Sequence, residues 1–232
     1  MKRFYKQASA EPCEGGWRVL LDGRPLKTQA GRAPQVVPSR ALAEALAAEW
    51  EAQGQEIDSS GFVLRDLADY AIDQVAPDPA ATAARLLPYG DTDTLLYRAD
   101  PDEMLYRRQQ QLWEPVVTAA EARHGVRFER VSGVVHRAQP EETKAALAAH
   151  LARLDPFTLA ALETTTTIAS SLITGLAALE PEADLDALFA AANAEEDWQA
   201  ELWGWDIPAE ARRMLRLKAF RQAAEFARAA RG

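Results

Sequence analysis

A chain of 232 residues with 48% hydrophobic content carries enough apolar material for one large or two small domains. Acidic residues exceed basic ones, 35 against 26, a formal net charge of −9 that argues against a nucleic-acid backbone or an anionic membrane surface as main partner and favours a basic or apolar protein surface. Cys13 is the only cysteine, which excludes an internal disulfide framework and a Cys-based zinc site; there is no apolar run long enough for a stable membrane span and no apolar segment in MKRFYKQASAEPCEGGW to serve as a signal peptide, so a reducing, cytoplasmic setting is expected.

Residues Arg3 to Ala10 and Trp17 to Leu21 are β-prone, and Asp22-Gly23 is a strong turn pair that folds the chain back into Pro25 to Thr28. Together they predict a small antiparallel sheet. Gly31 to Pro34 breaks it, a short edge follows at Gln35-Val36-Val37, and Pro38-Ser39 opens a helix with Ser39 as N-cap. Leu42, Leu46, Trp50 and Gln53 recur along that helix near a 3.6-residue period. A second helix carries Leu64, Leu67, Ala68, Ala71, Ile72 and Val75 and is closed by Pro77-Asp78-Pro79. The third begins with Thr82 to Leu87 and is ended by Pro88 and Gly90. Helices laid on a sheet make residues 1–92 an α+β domain.

Beyond Asp91 the character changes. Short strands are expected at Leu95 to Arg98 and near Val126 to Arg130, and helices over Asp102 to His124, Glu141 to Leu154, Pro156 to Leu179, Leu185 to Trp203 and Ala209 to Ala230. Pro115 must kink the first of these helices or open a second segment. Short connections between the helices make residues 93–232 a bundle, and the fold class α+β overall.

No phosphate-cradling glycine loop, HExxH, nucleophile elbow or Cys/His ligand spacing occurs. Asp91 and Asp93 flank Thr92 in YGDTDT and, as like charges at close range, suit the acid–base pair or divalent-ion site of a small hydrolase; loop and capping roles are the commoner use of such residues. His124, His136 and His150 are isolated in sequence, and His124 ahead of Gly125 suits a helix C-terminus. Thr164 to Thr167, Ser170 and Ser171 lie among leucines, which predicts small hydroxyls lining a packed helix more readily than a nucleophile. Arg212, Arg213, Arg216, Lys218 and Arg221 form a basic run that either binds an acidic partner or offsets the acidic helix before it.

That acidic helix lies in Asp184 to Asp206, DLDALFAAANAEEDWQAELWGWD. Leu185, Leu188, Phe189 and Ala192 share a face that continues through Glu195 or Glu196 to Gln199, Leu202 and Trp203. A carboxylate set between leucines and tryptophans is partly desolvated, waiting for a partner, or simply reaching solvent. Trp198, Trp203 and Trp205 are half of the six tryptophans and crowd beside Gly204, where a helix must end and a protein-binding surface can form. Trp17 and Trp50, by contrast, are expected in the core.

FYK at Phe4 to Lys6, LDGRPLKT at Leu21 to Thr28, EWxxQ at Glu49 to Gln53, AID at Ala71 to Asp73, DTDTLLYR at Asp91 to Arg98, QxxxWxP ending at Pro115 and EExWQxExWG at Glu195 to Gly204 follow one another in this order. With these motifs the chain resembles the assembly chaperones of the catalytic head of the rotary ATP synthase, which attend the alpha subunit before it meets beta. The likeness runs over nearly the whole sequence. It implies an N-terminal α+β domain, a C-terminal all-α orthogonal helical bundle, no catalysis, no cofactor and no metal. It also implies a protein partner, the free alpha subunit, on which an aggregation-prone surface is shielded. The family's functionally important glutamate matches Glu195 or Glu196, so the partner-binding residues are expected to be Glu195, Glu196, Trp198, Gln199 and Trp203, with Trp50 a fold residue. Gln29 and Ala194 stand where the family often has Pro and Leu, and Phe62-Val63 where it tends to have Pro, departures that touch local turns. A monomeric, bacterial, cytoplasmic member lacking the targeting extension of mitochondrial relatives is the expectation.

Overall fold

Six-residue strands β1 (Ala8–Cys13) and β2 (Gly16–Leu21) pair antiparallel, Ala8 opposite Leu21. Asp22 and Gly23 take positive φ, 48° and 78°, as a two-residue hairpin turn requires, and return the chain as β3 (Arg24–Pro25). Strand β4 (Val36–Val37) pairs with the start of β2, Trp17 opposite Val37. The first strand begins later than its β-prone sequence suggests. Before Ala8 the backbone is held by the Arg3 guanidinium, which donates to the carbonyls of Glu51 and Gln53 at 3.1 and 2.6 Å. Likewise β3 stops at Pro25 and does not run to Thr28, because the chain turns into a loop pinned by Asp73, whose carboxylate accepts from the Thr28 hydroxyl and the Gly31 N–H at 2.8 Å each.

Helix α1 (Arg40–Glu51) starts at Ser39, whose Oγ accepts from the Leu42 N–H at 3.0 Å. It buries Leu42, Leu46 and Trp50. Tyr5, Trp50 and Phe62 form an aromatic row, with centroids 5.6 and 4.4 Å apart, and the Tyr5 hydroxyl donates to the Trp50 carbonyl. Trp17 is not in the core: it is half-buried at the end of the sheet with the Arg40 guanidinium 5.8 Å from its ring. Helix α2 (Val63–Tyr70) begins where the Glu49 carboxylate accepts from the N–H groups of Leu64 and Arg65 at 2.8 and 2.9 Å, and runs on as a π-helical turn, Ala71–Val75.

Helix α3 (Pro79–Leu86) is followed at once by a single turn, α4 (Pro88–Asp91); Pro88 opens it, its missing N–H costing nothing at a first helical position. Strands β5 (Tyr97–Arg98) and β6 (Val131–Ser132) pair in parallel. Leu95 and Leu96 stay out of β5 because Asp93 folds them into a turn, its carboxylate accepting from Leu95 N–H and its carbonyl from Leu96 N–H. Helix α5 (Met104–His124) continues through Pro115 and ends at Gly125, φ 64°. Helix α6 is Glu141–Leu151.

Two stretches expected as single helices are each broken. Residues 156–179 form α7 (Pro156–Ala169) and α8 (Leu172–Ala178), because Ser170 takes φ 49° and the Ser171 hydroxyl caps the second helix at Thr174. Residues 185–203 form α9 (Leu185–Ala192) and α10 (Ala194–Trp203), because the Asn193 side-chain amide donates to the Phe189 carbonyl at 2.7 Å and draws the backbone out of the helix. Helix α11 is Ile207–Arg231.

The computed structural model describes residues 1–133, 135–204 and 207–232, so the expectation for Trp205 lies outside the described residues. They form two compact units: residues 1–79 with 155–161 and 225–232, and residues 80–154 with 162–224. In the first, the Ser39 hydroxyl donates to the Ala229 carbonyl and Phe157 stacks on Phe226. In the second, Ala169, Ala178, Leu188, Phe189, Phe220 and Ala224 make a core on which α9 and α11 rest.

Candidate partner-binding face

Helix α10 is held in place within the second unit by two neighbours. Trp113 of α5 is fully buried and its indole N–H donates to the Ala191 carbonyl at 2.7 Å, which seats the α9–α10 corner. Along α10 the carboxylates divide sharply. Asp197 takes a two-point bond from Arg213 of α11 at 2.8 and 2.6 Å, and Glu201 one from Arg108 of α5 at 2.5 and 2.6 Å. Glu196 pairs with Arg216 at 3.1 Å. Glu195 has no ion pair among the described residues: it is exposed, and one oxygen accepts from the side-chain amide of Gln109 at 2.8 Å.

Gln109 is itself fully buried, and its other end accepts from the Ala99 N–H at 2.8 Å. The backbone donor fixes which end of the amide is oxygen, so the NH₂ must face Glu195. The carboxylate is thereby oriented yet left unneutralised. It borders a groove of about 780 Å³ lined on the α10 side by Glu195, Trp198, Gln199, Leu202 and Trp203, and on the side of the β5–α5 connection by residues including Tyr97, Asp100, Glu103 and Leu105. Trp203 is 78% exposed and Leu202 56%; past the helix end Ile207, Met214 and Leu215 are exposed as well. Trp198 is half-buried with Arg108 5.7 Å from its ring. Exposed Leu202 and Trp203 beside an unpaired charge are what a docking face requires. Of the five partner-binding residues expected from sequence, four line this groove; Glu196 is turned to Arg216.

The other candidates have internal work. Asp93 is wholly buried and accepts from the N–H groups of Leu95 and Ile173 at 3.0 and 2.9 Å, tying the β5 approach to the start of α8. Burial pushes its carboxyl up to about 6 against those bonds. Asp91 accepts from the Gln139 N–H at 2.9 Å. The acid–base reading of this pair finds no support in such an arrangement. Among the described residues no group of three or more His, Cys, Asp or Glu is placed to hold a metal ion, and no helix is long and apolar enough to cross a membrane.

His124 and His150, far apart in sequence, meet edge to face at 4.6 Å, whereas His136 lies 3.1 Å from the Tyr97 hydroxyl. Burial, with each ring near positive charge, lowers both members of the pair, His124 to about 4. Of the hydroxyl run, Thr165, Thr166 and Ser171 are buried, as packing hydroxyls should be, whereas Thr167 and Ser170 are exposed. The basic run is largely spent on acids: Arg213 on Asp197, Arg216 on Glu196 and Arg221 on Asp186.

A family model described as ATP12 chaperone protein matches residues 2–121. The chain belongs to the ATP12 chaperone family. Atp12 of Paracoccus denitrificans, known from its crystal structure, is 40% identical, with 99% of this chain and 98% of that one covered and a TM-score of 0.93; an aspartate-to-lysine mutant of it gives the same TM-score. A chain from Agrobacterium tumefaciens is 42% identical, with a TM-score of 0.91 over 97% of this chain and 84% of that one. The mitochondrial atp12 protein of Schizosaccharomyces pombe is 25% identical over 214 residues, 88% of this chain and 74% of the relative.

Membership in the ATP12 family makes the chain an ATP synthase assembly chaperone and gives its motifs a physical sense. Glu49 of EWxxQ caps α2, Thr28 of LDGRPLKT meets Asp73 of AID, and Asp93 of DTDTLLYR anchors α8. Arg98 of the same motif pairs with Glu114 at 2.7 Å, and Gln109 of QxxxWxP reaches Glu195. Each is accounted for by a bond it makes inside the fold. Gln199 and Trp203 in the last motif are instead exposed in the groove. Sequence reasoning missed Gln109 as a site residue, although its place in QxxxWxP marked it.

Proposed function

We propose that this ATP12-family protein binds the free alpha subunit of the rotary ATP synthase catalytic head, keeps it soluble and releases it for assembly with beta, acting as a cytoplasmic monomer. The observation that carries this reading is the α10 face: an oriented, unpaired Glu195 flanked by exposed Leu202 and Trp203. In this reading Glu195, Trp198, Gln199 and Trp203 contact the partner, and Glu196 secures the face to α11 through Arg216. Aromatic anchors exclude water at such a contact while a charge fixes orientation. The test is to express the alpha subunit alone and together with this chain. Alpha in the soluble fraction only on co-expression is the expected result; equal insolubility in both cultures overturns the proposal.

A further inference from the structure

The groove also specifies the chemistry of what enters it. Its charged lining consists of Glu195, Asp100, Glu103 and Arg98, with His136 at the margin. Arg98 is 97% buried, 3% exposed, and already neutralised by Glu114. The three carboxylates have no cationic partner among the described residues; Glu195 takes an amide donor and Glu103 a long bond from the Asp100 N–H, at 3.3 Å. Every other acid of α10 is matched by an arginine of α5 or α11, so the fold neutralises acids where it needs cohesion and leaves these three bare around one trough. The same trough is lined by Leu105, Leu202, Trp198 and Trp203.

The geometry points to a client segment in which one Lys or Arg is flanked by large apolar side chains, the cation set among Glu195, Asp100 and Glu103 and the apolar groups on Trp203 and Leu202. A carboxylate-rich trough repels anionic segments as strongly as it attracts cationic ones, so charge serves as the filter and apolar contact as the main attraction. At about 780 Å³ the groove has room for a few side chains and not for a folded domain. This inference rests on the docking role proposed for the α10 face and adds the kind of sequence that face selects.

The probe is a pair of fluorescein-labelled synthetic peptides with identical leucine and tryptophan positions, one carrying a central lysine and the other a glutamate. Fluorescence anisotropy should show the lysine peptide binding about tenfold tighter, with the preference fading as salt screens exposed charge. Asp100→Asn, Glu103→Gln and Glu195→Gln remove charge at constant shape, and the Gln at 195 still offers an oxygen to Gln109. Combined, with an unchanged melting temperature, they should erase the preference. Equal affinity for the two peptides, or a preference that survives the triple neutralisation, overturns the inference. The co-expression experiment above reports separately. Alpha kept soluble without peptide discrimination sinks this inference alone, whereas discrimination without alpha capture supports it and sinks only the choice of partner.

Discussion

Glu195 and Glu196 are adjacent in sequence and differ in what faces them, an amide for one and a guanidinium for the other. That difference separates two substitutions. Glu195→Gln breaks no ion pair and keeps an oxygen for Gln109, so its melting temperature should stay close to the parent while capture of alpha from a co-expressing culture falls. Glu196→Lys loses its bridge and sets two cations together, at a cost of about 1 kcal/mol for a half-exposed pair, readable as a small drop in denaturation midpoint. If the two variants behave alike in both assays, the distinction drawn from their partners is wrong. Gln109→Leu strands the Ala99 N–H and should lower stability by about 1–3 kcal/mol in urea denaturation. Trp17 shows why residue type alone misleads: an aromatic in a strand reads as core, but its place at the sheet's end let Arg40 cover it.

At the scale of elements, the broken helices are the instructive cases. Nothing in the apolar period of residues 156–179 announces the left-handed Ser170, because a period reports which side faces the core and not where the axis turns. The break brings α8 against α7 so closely that a methyl on Gly175 would overlap the Thr166 hydroxyl and crowd its backbone N–H. Gly175→Ala should therefore destabilise by about 1–3 kcal/mol, although alanine is the better helix former; a neutral or stabilising result in thermal unfolding would contradict the packing described. The corner at Asn193 was equally hidden, and it matters more: without it α10 would continue the line of α9. By contrast Ser39, the Asp22-Gly23 turn and the stop at Gly125 were legible, because each acts through its own backbone or its own cap.

For the whole molecule, acid response sets two buried groups against each other. His124, lowered to about 4, is neutral when folded but protonates in the unfolded chain first, so its contribution is present above about pH 6.5 and is lost as pH falls through about 4. Asp93, raised to about 6, works the other way: its contribution is complete below the ordinary aspartate range and is lost as pH rises through about 6. Melting temperatures between about pH 7 and about pH 4.5 should fall less steeply in His124→Gln than in the parent, and more steeply in Asp93→Asn. Parallel curves for all three proteins would mean that neither group titrates as its surroundings demand. The α+β class and most helices were readable from pattern, whereas a linear reading divides a chain once and cannot show residues 155–161 and 225–232 joining the first unit. The face proposed for docking was half-readable as a surface: its tryptophans and acids stood out, but which acid the fold leaves unpaired depends on arginines of α5 and α11, and Gln109 lies 86 residues away from Glu195.

The central claim, that the α10 face is where this chaperone holds its client, is tested most directly by hydrogen–deuterium exchange on the chain alone and in complex with the alpha subunit. Slower exchange concentrated in residues 195–204 and 97–105 is the expected result; a complex in which those segments exchange as in the free chain, with protection elsewhere, would contradict it.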